Sequence, residues 1–202
     1  MGGYDAVLLT GGAARRMGGV DKPGLAVGDR PMALRVADAV PGAVRVIVVG
    51  PGYPGLRADV VTREEPAGAG PVAALAAGLA HVTAPRVAVL ATDLPFVTSA
   101  VVDLLAGAVT GHDVALLVDD TGADQYLIAV WSTSALRAAL TAVGVPAGAS
   151  MRRLLAAAGS VERRRVPVGS VGVPPWFDCD TPEDLRRARR LDPRPGEPRG
   201  EP

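Results

Sequence analysis

The stretch Leu9-Thr-Gly-Gly-Ala-Ala-Arg-Arg-Met-Gly-Gly-Val-Asp-Lys22 carries four glycines, two arginines and a lysine directly after a short apolar run. Glycine lets backbone N–H groups approach an anion closely, and Arg and Lys then neutralise phosphate-type oxygens. Lys22 is the only lysine in a chain that otherwise uses arginine. The spacing fits neither a Walker A loop nor G-x-G-x-x-G. A second group of chemical residues is acidic. Asp93 follows an apolar run and precedes Leu94-Pro95. It suits a hard cation, or equally an N-cap or a turn. Asp178 and Asp180 flank Cys179 and are further candidate ligands. Asp180 also reads as a turn residue before Thr181.

These segments resemble the signature motifs of the MobA-like nucleotidyltransferases. The family loop reads roughly L-A-G-G-x-S/A-x-R-M-G-x-D-K, and residues 9–22 match it with Thr10 in place of the usual Ala. Gly70-Pro71-Val72-Ala73-Ala74 is similar to the family's G-P-L-A-G, Thr92-Asp93-Leu94-Pro95-Phe96 to D-x-P-F, and Phe177 to Asp184 to its closing D-x-D-T-P-E-D-L. The motifs fall in family order from residue 6 to about residue 190. The resemblance implies transfer of a nucleoside monophosphate to a phosphate acceptor with release of pyrophosphate. It implies that Leu9, Thr10, Gly11 and Gly12 line the nucleotide and that Arg16 and Lys22 hold its phosphates. Asp93 would bind Mg²⁺ that bridges the triphosphate. Arg16, Lys22 and Asp93 are then the catalytic set.

Glu64-Glu65 stands where the family often places an acid that reads the base, and a carboxylate suits the N1–H and N2–H₂ edge of guanine. Gly50 occupies the place where some relatives carry a nucleotide-contacting Asn. The reaction implied is transfer of GMP from GTP to a molybdopterin-type cofactor. Cytidylyl transfer to the same cofactor, another small acceptor, and a nucleotide-binding regulatory module are the alternatives. The same resemblance leaves room for transient contact with proteins that deliver or accept the cofactor. Gln125 and Tyr126 begin a strand in a region where relatives place acceptor contacts, or are ordinary core. Arg152-Arg153 and Arg163 to Arg165 could meet an acidic acceptor but read more simply as solvated faces. His81 and His112 are isolated, and Cys179 between two acids reads as structural.

The elements that must position these residues follow from periodicity. Apolar runs at 6–9, 44–49, 58–62, 86–91, 113–118 and 125–131 read as strands. Helical patterns lie at 31–39, 72–81, 98–108, 132–143 and 150–158, with 11–30 a long loop. Thr181-Pro-Glu-Asp184 opens a last helix: an N-cap, a first-turn proline and acids at the positive end. The alternation predicts a three-layer, Rossmann-like α/β fold with a mostly parallel central sheet. Ligands in such sheets sit beyond the carboxyl ends of the strands.

The 202 residues fit one domain, expected over 1–191, with a disordered Pro-, Arg- and Gly-rich tail at 192–202. The 21 basic residues balance the 21 acidic ones, which argues against a general nucleic-acid or anionic-membrane binder. One cysteine allows neither an internal disulfide nor a Cys-rich zinc site. Without an apolar stretch long enough to span a bilayer or a basic leader, a cytoplasmic protein is expected.

Overall fold

Every residue of Tyr4–Leu9, strand β1, is buried, and its side chains alternate between two cores. Ala6 and Leu8 face one, Val7 and Leu9 the other. A strand covered on both faces must lie inside a sheet that has helices on each side. The computed structural model describes residues 3–11, 24–164 and 173–192. Among these the strands are β1, β2 (Ala26–Val27), β3 (Arg30–Pro31), β4 (Ala43–Val49), β5 (Val60–Thr62), β6 (Arg86–Ala91), β7 (Val114–Val118), β8 (Asp124–Ser132) and β9 (Val161–Arg164). The helices are α1 (Met32–Ala37), α2 (Pro71–Leu79), α3 (Ser99–Ala108), α4 (Thr133–Val143), α5 (Met151–Ala156) and α6 (Pro182–Leu191).

The main sheet has the order β5-β4-β1-β6-β8-β7-β9. Strands β5, β4, β1 and β6 pair in parallel, and so do β7 and β9. Strand β8 runs against both of its neighbours, so the sheet is mixed but mostly parallel, as the alternation predicts. Helices α1 and α3 cover one face through Val36, Val101, Val102 and Leu105. Helices α2, α4 and α5 cover the other through Leu75, Leu136 and Leu154, which completes three layers. Gly78 of α2 sits so close to the sheet that a Cβ there would meet Val49 and Val7 at 2.8 Å.

Two expectations change. The long loop expected over 11–30 contains, in its described part, the antiparallel ribbon β2–β3. Strands of two residues leave no readable periodicity. Arg163 and Arg164, read as a solvated face, are exposed but stand on the edge strand β9, a strand not expected from the sequence. Both readings have a physical basis, because edge strands carry charge to discourage further pairing. Among the described residues, no helix is long and apolar enough to cross a membrane.

A third, small core lies outside the main layers. Val27 and Met32 from the ribbon side, Phe96 from the loop after β6, Cys179, and Leu185 and Ala188 of α6 are buried together. Thr181 is the N-cap of α6, as expected, and with Asp184 it forms a capping box. The Thr181 hydroxyl accepts from the Asp184 N–H at 3.1 Å, and the Asp184 carboxylate accepts from the Thr181 N–H at 2.8 Å. The Thr181 hydroxyl also donates to that carboxylate at 2.7 Å, and this bond above all holds the Asp184 carboxyl below its ordinary range.

Candidate active site at the carboxyl rim of the sheet

Strands β1, β4 and β6 end level with one another, since Leu9 is paired with both Val49 and Ala91. The three residues that follow, Thr10, Gly50 and Thr92, therefore form one rim. Thr10 donates its N–H to the Val49 carbonyl at 2.9 Å and shares its hydroxyl between the carbonyls of Val49 (3.2 Å) and Pro51 (2.8 Å). Thr92 bonds the Leu9 carbonyl through its N–H and its hydroxyl, each at 3.1 Å. Gly11 donates to Val49 at 3.3 Å and is exposed. The rim is thus a floor whose first polar groups are consumed in fixing its own shape.

Gly50 has to be glycine for two reasons. Its φ is +116°, and a Cβ would lie 2.6 Å from the Gly11 nitrogen and 2.7 Å from the Thr10 hydroxyl. A nucleotide-contacting side chain at this position, as some relatives carry, has no room here. The departure at Thr10 from the family's alanine belongs to the same spot, because the threonine hydroxyl ties the exit of β1 to the Gly50-Pro51 turn.

The acidic residues converge on this rim from the other side. Asp93 is half-buried in the loop after β6, and its carbonyl accepts from the Cys179 N–H at 3.0 Å. Helix α3 takes its N-cap from Thr98, so Asp93 does not serve as that cap. The Cys179 bond brings Asp178 and Asp180 alongside. Burial, then the neighbouring charges of Asp180, Asp93 and Asp184, push the Asp178 carboxyl above its ordinary value. Among the described residues no three ligand-type side chains close into a ready-made metal cage. Magnesium rarely needs one, because it keeps waters and takes one or two carboxylates together with substrate phosphates. The donor set of Asp93 with Asp178 or Asp180 fits that habit.

Gly12, Arg16 and Lys22 lie outside the described residues. Leu9 is buried in the core, so only its backbone reaches the rim. Glu64 lies two residues beyond β5 and accepts from the Gly68 N–H at 2.8 Å, which leaves one carboxylate oxygen without a described partner; Glu65 is exposed. Gln125 donates to Asp119 at 3.0 Å and so helps close the β7–β8 hairpin. Arg163 makes a two-point pair with Asp124 at 2.6 and 2.9 Å, Arg164 pairs with Glu162, and Arg153 caps the Val143 carbonyl. These arginines are employed within the fold; Arg152 is exposed, and Arg165 lies outside the described residues. His112 sits 3.6 Å from Glu162, His81 is half-buried, and Cys179 is fully buried and outside any disulfide. Sequence reasoning missed Gly50 as a steric requirement, and it missed the Arg35–Asp192 pair described below. The first left a trace as a glycine after an apolar strand; the second left none.

Comparison with known proteins matches residues 6–164 to the MobA-like NTP transferase domain. The chain is 32% identical over 197 residues to the molybdenum cofactor guanylyltransferase of Rhodobacter capsulatus, covering 90% of this chain and 93% of that protein. It is 30% identical over 199 residues to the protein of the same name from a Bradyrhizobium strain, covering 92% and 91%. Its fold superposes on the molybdopterin-guanine dinucleotide biosynthesis protein A of Archaeoglobus fulgidus with a TM-score of 0.73 at 22% identity, covering 93% and 98%. It superposes on the 2-C-methyl-D-erythritol 4-phosphate cytidylyltransferase of Thermus thermophilus with a TM-score of 0.70, also at 22% identity, covering 95% and 98%.

Proposed function

Because the chain belongs to the family of MobA-like NTP transferases, and is thereby a nucleotidyltransferase, we propose that it transfers GMP from GTP to a molybdopterin-type cofactor. The observation that carries the reading is the rim. A backbone floor at Thr10, Gly11 and Gly50 lies beside Thr92 and the carboxylates Asp93 and Asp178 that follow it, at the end of the strand that the glycine-rich basic segment follows in sequence. The relatives named as guanylyltransferases, at 30% and 32% identity over most of their length, support the choice of GMP and of the cofactor.

The chemistry needs no side-chain nucleophile. A phosphate oxygen of the acceptor attacks the α-phosphorus of GTP, a P–O bond forms, and the bond to the β-phosphate breaks with its oxygen leaving in pyrophosphate. Both reactants are anions, so the protein's task is to offset repulsion and hold the line of attack. Arg16 and Lys22 supply fixed positive charge. The Gly11 N–H is already committed to the Val49 carbonyl. Asp93, with Asp178 or Asp180, would hold Mg²⁺, which supplies charge neutralisation across the triphosphate. Burial, then the charges of the neighbouring carboxylates, raise Asp178, and a bound cation would offset the repulsion among them. The Glu64 oxygen not used by Gly68 is available to the guanine edge.

Calorimetry with GTP, CTP, ATP and UTP in the presence of Mg²⁺ tests the base. GTP is expected to bind at least about tenfold more tightly, a difference of about 1.4 kcal/mol. Glu64→Gln should reduce that preference more than Glu65→Gln. Equal affinities would remove the guanine reading, and a preference for CTP would move the protein to cytidylyl transfer.

A further inference from the structure

Helix α6 connects the two sides of the proposed site. Its amino end follows Asp178-Cys179-Asp180 directly, and its carboxyl end lies against the β2–β3 ribbon, which begins four residues after Lys22. Its apolar anchorage is slight, since only Leu185 and Ala188 are buried. Apolar contact is also non-directional, so it cannot by itself set how far the helix slides along the ribbon. Directional contacts come from two arginines. Arg189 donates to the Ala26 carbonyl at 3.0 Å. Arg35 of α1, its side chain 1% exposed, donates to the Asp192 carboxylate at 3.1 and 2.5 Å and to the Val27 carbonyl.

Asp192, the C-cap of α6, is the residue at which the tail was expected to begin. Its side chain is 6% exposed and belongs to the body of the fold. The turn of the ribbon is shaped around this pair. Gly28 has φ +62°, and a Cβ there would land on the Asp192 carboxylate. One guanidinium thus holds the ribbon's first strand and the end of α6 at once, in a geometry a fork-shaped donor fixes and a point charge does not. Buried ion pairs are poor sources of net stability, and their best-attested use is to fix register.

We propose that Gly28, Arg35 and Asp192 form a positioning lock that sets the distance between the ribbon and the acids Asp93, Asp178 and Asp180, and so the affinity for the Mg²⁺-nucleotide. The inference rests on the nucleotidyltransferase reading of that site. Arg35→Lys is the first test, since it keeps the buried charge pair but loses the fork. Thermal midpoint, calorimetric Kd for GTP with Mg²⁺, and KM and kcat for pyrophosphate release are measured together on the full chain. The lock predicts a midpoint close to that of the unmutated protein with GTP bound about tenfold or more weakly, in the range usual for outer-sphere partners of a site. KM for GTP should rise by a similar factor. Unchanged affinity would overturn it, as would a lowered midpoint with unchanged affinity in the folded protein. If Arg35→Lys does not fold, the double variant Arg35→Met with Asp192→Leu removes both charges and keeps the volume. It should fold and bind GTP weakly; normal binding, or failure of both variants to fold, would sink the proposal. Failure of the underlying reading shows separately, as an unmutated protein that neither binds GTP nor releases pyrophosphate.

Discussion

Alanine at Gly50 is expected to damage the protein far more than alanine at Gly111. Both glycines have positive φ, +116° and +83°, so each substitution carries the backbone cost of a left-handed residue, about 1–2 kcal/mol. At Gly111, at the opposite end of the sheet, the new methyl meets nothing within 4 Å. At Gly50 it meets the Gly11 nitrogen at 2.6 Å and the Thr10 hydroxyl at 2.7 Å, closer than real Cβ atoms come. Thr10 must turn away, and its hydroxyl then gives up the carbonyls of Val49 and Pro51, which adds about 1–2 kcal/mol. The sum for Gly50→Ala is about 2–4 kcal/mol, against about 1–2 kcal/mol for Gly111→Ala. Urea unfolding of both variants, with unchanged m-values, measures the difference directly. Gly50→Ala should also weaken GTP binding, because the displaced atoms are the floor of the rim, whereas Gly111→Ala should not. Equal stability losses with unchanged GTP affinity would refute the reasoning.

Three further outcomes are expected. Lys22→Ala should lower pyrophosphate release about ten- to a hundredfold, as loss of a charge-assisted contact does, with the thermal midpoint unmoved; near-normal turnover would contradict the phosphate role. Asp93→Asn keeps shape but not charge, so a Mg²⁺ titration of pyrophosphate release should show a raised half-saturation and a lower plateau; an identical curve would remove Asp93 from the ligand set. Asp184→Asn should cost about 0.5–1 kcal/mol at neutral pH by breaking the capping box. The Asp184 carboxyl is held below its unfolded value, chiefly by the Thr181 hydroxyl. Its contribution is therefore complete above the ordinary carboxylate range and lost as pH falls through the folded value, so the two proteins should converge in acid and diverge towards neutrality.

The layers and the parallel half of the sheet were legible because Leu8, Val48 and Leu90 sit in uninterrupted apolar runs, the signature of strands covered on both faces. The α6 start was legible because Thr181, Pro182 and the acids after them write a helix N-terminus into local sequence; the Asp184 side of the capping box came from the structure. That Asp93 does not cap α3 needed the position of Thr98. The ribbon was hidden by its length, since two-residue strands carry no period. Gly50 read as a strand terminator, and only the approach of Gly11 and Thr10 reveals why the position excludes a side chain. The Arg35–Asp192 pair spans 157 residues, and no local pattern announces a partner so distant. The arginines at 163 and 164 read as a surface and are exposed; the Arg163 partner, Asp124, comes from tertiary pairing, whereas Arg164 meets Glu162 on its own strand.

This chain is proposed to move GMP to a phosphate on a molybdopterin-type acceptor. Incubation of the full chain with GTP, Mg²⁺ and that acceptor, with pyrophosphate and the mass of the acceptor followed together, tests it most directly. One pyrophosphate is expected for each acceptor that gains one GMP, and little with CTP in place of GTP. Pyrophosphate release and a CMP adduct with CTP but not GTP, or no adduct with either nucleotide, would contradict it.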